Sequence, residues 1–147
     1  MRKILIMIAL LLSVTLMADE LKLAKDFKSG MAEAVKLNKP VMFISSRHTC
    51  KYCVILDETT LKDKKVVDAL NKDFISIISY SDEYDYMPRE LYRPGTPAIW
   101  FLLPDGRPMY QPIMGALDAV NFLEAIKVVK KSFDEYQKEQ KAKSKGK

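Results

Sequence analysis

Cysteine and histidine are nearly missing from this chain. Its 147 residues hold two cysteines, Cys50 and Cys53, and one histidine, His48. A structural zinc centre takes four ligands as a rule, so no metal is expected, and no other cofactor is called for. The eight methionines form no M-x-x-M copper cluster. Strong charge of one sign is also missing from the folded body. The net charge is +5, but Arg2 and Lys3 hold +2 of it, and residues 138–147 hold five lysines against one glutamate. Residues 18–137 are therefore left at −1. A nucleic-acid binder shows a basic face on its body, so nucleic acid is not an expected partner. The lysine-rich tail, 138–147, reads as a frayed, solvated helix end.

A run long enough to span a bilayer, about 20 apolar residues, is absent too. The apolar stretch Ile4 to Leu12 is shorter. With Arg2 and Lys3 before it and Ser13 to Ala18 after it, it has the order of a secretory signal over 1–18. Cleavage is expected after Ala18, although Leu16 fits the small-residue rule poorly. No cysteine lies near residue 18, so no lipid anchor is expected, and no stable membrane insertion outlasts cleavage. The other reading of 1–18 is a buried first helix or strand. Export implies an oxidising compartment.

What remains is one domain, residues 19–137, whose 48% hydrophobic and 29% charged residues suffice for one core. There is no internal repeat and no dividing linker. Apolar spacing from Leu21 to Leu37 predicts a helix over 19–38, stopped at Pro40. A buried strand is expected over 40–46 and helices over 50–60 and 64–71. Strands follow over 74–80 and 98–103, then a Pro104-Asp105-Gly106 turn. Residues 107–113 are expected as an edge strand, because Pro108 and Pro112 suit an edge. A last amphipathic helix is expected over 117–136. This order, with one parallel β-α-β unit and a hairpin, predicts an α/β fold with a central mixed sheet and helices on both faces.

The two cysteines stand as Cys50-Lys51-Tyr52-Cys53 at a strand-to-helix junction. A structural disulfide gains most by closing a long loop, and this pair closes almost none. Such a pair suits electron exchange. The competing readings are a zinc half-site or an inert structural pair. Cys50, at the helix start, is the expected nucleophile, since free N–H groups and the macrodipole favour its thiolate. Lys51 adds a positive charge nearby, and Tyr52 fills the dipeptide. Cys53, one turn deeper, would resolve the mixed disulfide. His48 either tunes the thiolate or is an exposed loop residue of modest influence. Tyr80, Tyr84, Tyr86 and Tyr92, with Asp82, Glu83 and Asp85, either rim a binding groove or form a solvated loop.

These features together resemble the thioredoxin-like family. The C-x-x-C, the Thr96-Pro97 before the third strand, the Pro-Asp-Gly turn and Gly115 before the last helix carry the resemblance. The run Lys39-Pro40-Val41-Met42 and the segment from Val66 to Phe74 are similar to the C-terminal domain of the disulfide-interchange protein DsbD. The resemblance implies a thioredoxin-like fold and a periplasmic thiol:disulfide oxidoreductase that leans towards reduction, and a monomer is expected. It would act on protein thiols and disulfides with a redox partner protein. It implies a cis peptide at Thr96-Pro97, and Thr96 and Pro97 as substrate-binding residues facing the cysteines. A non-catalytic chaperone or binding module on the same fold is the alternative. Two departures stand out. Thr49 replaces the tryptophan usual before the first cysteine, and Ile44 occupies the place of the buried acid of thioredoxins. Asp57, four residues after Cys53 and on its helical face, is the expected substitute base. It could equally be a solvent-facing or ion-paired aspartate, with Glu58 or water in its place.

Overall fold

A computed structural model describes residues 20–146. The signal segment expected over 1–18 lies outside the described residues. The first helix, α1, is Phe27–Leu37. It starts later than the apolar spacing suggests, because Asp26 forms a capping box. Asp26 Oδ1 accepts from the Ser29 amide at 2.7 Å, and Ser29 Oγ accepts from the Asp26 amide at 3.1 Å. The residues before it do not coil. Leu23 bridges Ser76 in parallel, and the Ala24 amide donates to the Ser76 carbonyl. Leu21 packs against the core, while Leu23 is exposed.

Strand β1 (Val41–Ser46) is buried at all six positions. It lies between β2 (Ile75–Tyr80), to which it is parallel, and β3 (Ala98–Leu102), to which it is antiparallel. Burial on both faces explains its unbroken apolar run. The crossover from β1 to β2 carries α2 (Lys51–Glu58), a 3₁₀ turn at Thr60–Lys62 and α3 (Lys64–Asp73). Asp63 begins α3 by accepting from the amides of Lys65 and Val66. The edge strand is much shorter than expected. Only β4 (Ile113–Met114) pairs with β3, and residues 107–112 add a single bridge at Pro108. Pro108 and Pro112 have no N–H to give to a ladder. The last helix, α4 (Ala119–Lys145), runs beyond the expected 117–136, with residues 138–146 all exposed.

The sheet order is β2-β1-β3-β4. Alternate residues divide between two cores. Met42, Ile44, Ile99 and Phe101 meet Leu56 of α2, Leu70 of α3, and Phe122 and Ile126 of α4. Phe43, Ile77, Trp100 and Leu102 meet Ala34, Phe27 and Met31 of α1. This is the thioredoxin-like α/β architecture, a mixed four-stranded sheet with helices on both faces. Trp100 belongs to the core, as expected, with the Arg93 guanidinium 4.6 Å above its ring.

Candidate active site

The site forms where β1 ends and α2 begins. Cys50 is the N-cap of α2, in extended conformation, and its Sγ accepts from the Cys53 amide at 3.3 Å. The sulfur therefore occupies the place where a helix offers unpaired N–H groups. Lys51 and Tyr52 point outward, Tyr52 at 57% exposure, while Cys53 one turn deeper is fully buried. Both cysteines are free thiols. The Thr96–Pro97 peptide is cis, as the family resemblance implied. It brings the Thr96 carbonyl to 3.3 Å from Cys50 Sγ, which donates to it. Pro97 is buried, and its carbonyl accepts from the Gly115 amide at 2.9 Å. Gly115 has φ +90, which glycine adopts without strain. So β3, the turn before α4 and the start of α2 meet at one point.

The two thiols are driven apart in acidity. Burial works to raise the Cys50 thiol. The Cys53 thiol, the Thr96 side chain and the amides of Cys53 and Tyr52 outweigh it, so Cys50 lies below the usual thiol range. Its own bond to the Thr96 carbonyl favours the protonated form and moderates that effect. Burial pushes the Cys53 thiol up, and the neighbouring Cys50 adds to this, against smaller opposing contributions from Thr96, Ser46 and the Arg47 backbone.

Asp57, four residues after Cys53 on α2, is half-buried. Its Oδ2 accepts from the Tyr80 hydroxyl at 3.4 Å, and its Oδ1 is buried without a partner. Burial raises its pKa most and Glu58 adds to that, while Tyr80, His48 and Lys62 oppose it. Glu58 is exposed and pairs with Lys62 at 2.6 Å. Ile44 is buried in the apolar core, so no acid lies at the position thioredoxins use. His48 engages the acidic loop after β2. Its ring nitrogens lie 3.3 Å from Asp82 and 3.7 Å from Glu83, and its ring stacks on Tyr80 at 4.0 Å.

Sequence reading grouped Tyr80 with the loop tyrosines. Tyr84, Tyr86 and Tyr92 are indeed exposed, but Tyr80 ends β2 and reaches inward to Asp57. The register could have shown it, because Tyr80 pairs with Ser46, the last residue of β1, four positions before Cys50. Side chains at the carboxyl ends of parallel strands converge on such a crevice.

The sequence profile of the thioredoxin-like domain matches residues 27–130. Among solved structures, a thioredoxin from Thermus thermophilus superposes with a TM-score of 0.64 at 22% identity. The match covers 76% of this chain and 88% of that one. The reduced C-terminal domain of DsbD from Neisseria meningitidis superposes with a TM-score of 0.56 at 25% identity, over 68% of this chain and 90% of that one. Anterior gradient protein 3 of Mus musculus is 26% identical over 82 residues, and the chain spans about half the length of that relative.

Proposed function

We propose that this chain, which belongs to the thioredoxin-like domain family, is an exported thiol:disulfide oxidoreductase of the periplasm that leans towards reduction. One observation carries the reading. Cys50 Sγ caps α2, touches the Thr96 carbonyl of the cis-proline loop and remains partly exposed, while Cys53 lies buried behind it. That arrangement makes one sulfur the attacker and the other the resolver.

In the first step the Cys50 thiolate attacks a substrate disulfide. The Cys50–substrate S–S bond forms, the substrate S–S bond breaks, and the departing sulfur takes up a proton. Cys53 then loses its proton to Asp57 and attacks Cys50 Sγ. The Cys50–Cys53 bond forms, the mixed disulfide breaks, and the second substrate sulfur leaves as a thiol. The substrate disulfide gains two electrons and the Cys50–Cys53 pair loses them. A redox partner protein returns them. Thr96 and Pro97 would hold the substrate backbone beside Cys50.

The reductive lean rests on the likeness to the DsbD domain and on a dipeptide, Lys51-Tyr52, without histidine. The depressed Cys50 thiol pulls the other way, since a stabilised thiolate makes a couple more oxidising. A potential near that of thioredoxin, about −270 mV, is expected. A value near the strong oxidant DsbA, about −120 mV, would overturn the lean. Export predicts a mature chain beginning at Asp19 in a periplasmic fraction, read by its mass. For the activity itself, insulin reduction should proceed with the wild type and cease in Cys50→Ser. A chaperone or binding module would reduce no insulin in either form.

A further inference from the structure

We propose that Tyr80 is a positioning residue for the Asp57 carboxyl during the attack of Cys53 on the mixed disulfide. This inference rests on the oxidoreductase reading above. Tyr80 is the hydrogen-bond partner of Asp57, its hydroxyl donating to Oδ2 at 3.4 Å. Tyr80 is held both at its backbone and on its ring face. Its backbone amide donates to Asp85 Oδ2 at 2.9 Å. The His48 ring lies on it at 4.0 Å, nearly parallel at 18°. His48 is itself fixed where its amide donates to Asp82 Oδ2 at 2.8 Å. The acidic loop after β2 therefore aims the phenol at the base.

The groups around the pair all bear on the proton. Burial and then Glu58 favour the neutral form of Asp57, while Tyr80, His48 and Lys62 favour its anion. Glu20 lines the cavity of about 490 Å³ on which Asp57 and Lys62 also open. Burial, Asp57, Glu83 and Cys53 push the Tyr80 phenol up to about 12, so it keeps its own proton and remains a donor. The transferred proton goes from Cys53 to Asp57. The tyrosine hydroxyl stabilises the acceptor as an anion before the transfer. Without it, Asp57 stays protonated to higher pH and fewer molecules can accept the Cys53 proton.

The test follows release of a peptide disulfide-linked to Cys50, against pH, in the wild type, Tyr80→Phe, Asp57→Asn and the double variant. Tyr80→Phe should slow release about 3- to 10-fold on the acid side, the worth of one weak hydrogen bond to a charge. The deficit should vanish at high pH, and Tyr80→Phe should cost nothing further in Asp57→Asn. A second readout needs no turnover. The ¹³C carboxyl titration of Asp57 should move to higher pH in Tyr80→Phe. An unmoved titration, a deficit equal at every pH, or the same deficit without Asp57 would overturn the positioning role alone, provided Asp57→Asn itself slows release. If Asp57→Asn releases peptide as fast as the wild type, the base reading and the role of Tyr80 fall together.

Discussion

A buried carboxyl weakens the fold that buries it. Asp57 has its pKa raised chiefly by desolvation, so the folded protein binds its proton more tightly than the unfolded chain does. The stability from that difference is fully present below the ordinary aspartate range and is lost as pH rises through the folded-state value. Asp57→Asn should therefore melt higher than the wild type at neutral pH, with the gap closing in acid. Thermal melts across pH check this, and a gap of constant size would count against a buried, raised Asp57. The same variant should turn over about 10- to 100-fold more slowly, at or below the usual range for a lost general base. The cysteines divide by exposure and acidity in the same way. Limiting alkylating reagent should label Cys50 first, and Cys53→Ala should trap mixed disulfides that Cys50→Ala does not. Cys50, Cys53, Thr96 and Asp57 were all legible in the sequence, because spacing along one helix and the family resemblance place them. Tyr80 was not, since its partnership with Asp57 depends on the β1–β2 register, which links residues distant in sequence.

At the scale of elements, Gly30 lets α1 pack where it does on the sheet, because it has no side chain. A Cβ there would come within 2.5 Å of Ile77 Cδ1 and 2.9 Å of the Ala24 Cβ. Gly30→Ala should destabilise by about 1–3 kcal/mol through overpacking, despite its better helix propensity. The loss should shrink in an Ile77→Ala background, which a double-mutant cycle in denaturant would read. Strand β1 and helices α2 and α3 lie close to their expected limits, since proline, caps and long apolar runs act locally. Besides the longer α4, two elements departed from expectation for identifiable reasons. The start of α1 was set by the Asp26–Ser29 box, which outranks an apolar spacing that continues upstream. The strand over 107–113 was cut to two residues by prolines whose cost is felt only in a ladder. Beyond Gln137, every described residue of α4 is exposed. Removing residues 138–147 should change stability by less than about 0.5 kcal/mol, as for other exposed sites.

For the whole molecule, the flanks of the sheet matter more than its centre. On one side β4 is two residues long and bordered by Pro112. On the other, β2 is covered where Leu23 and Ala24 lie against Ser76, and the Asn71 side chain holds the backbone of Glu20 and Lys22 in place. Neither margin therefore offers a long row of free amides and carbonyls to another chain. The first few residues of the described chain thus cover part of the β2 edge. A protein beginning at Lys25 should keep its thiol chemistry yet bare the flank of β2, and sedimentation should show more dimers or larger species, growing with concentration, than the full-length protein shows.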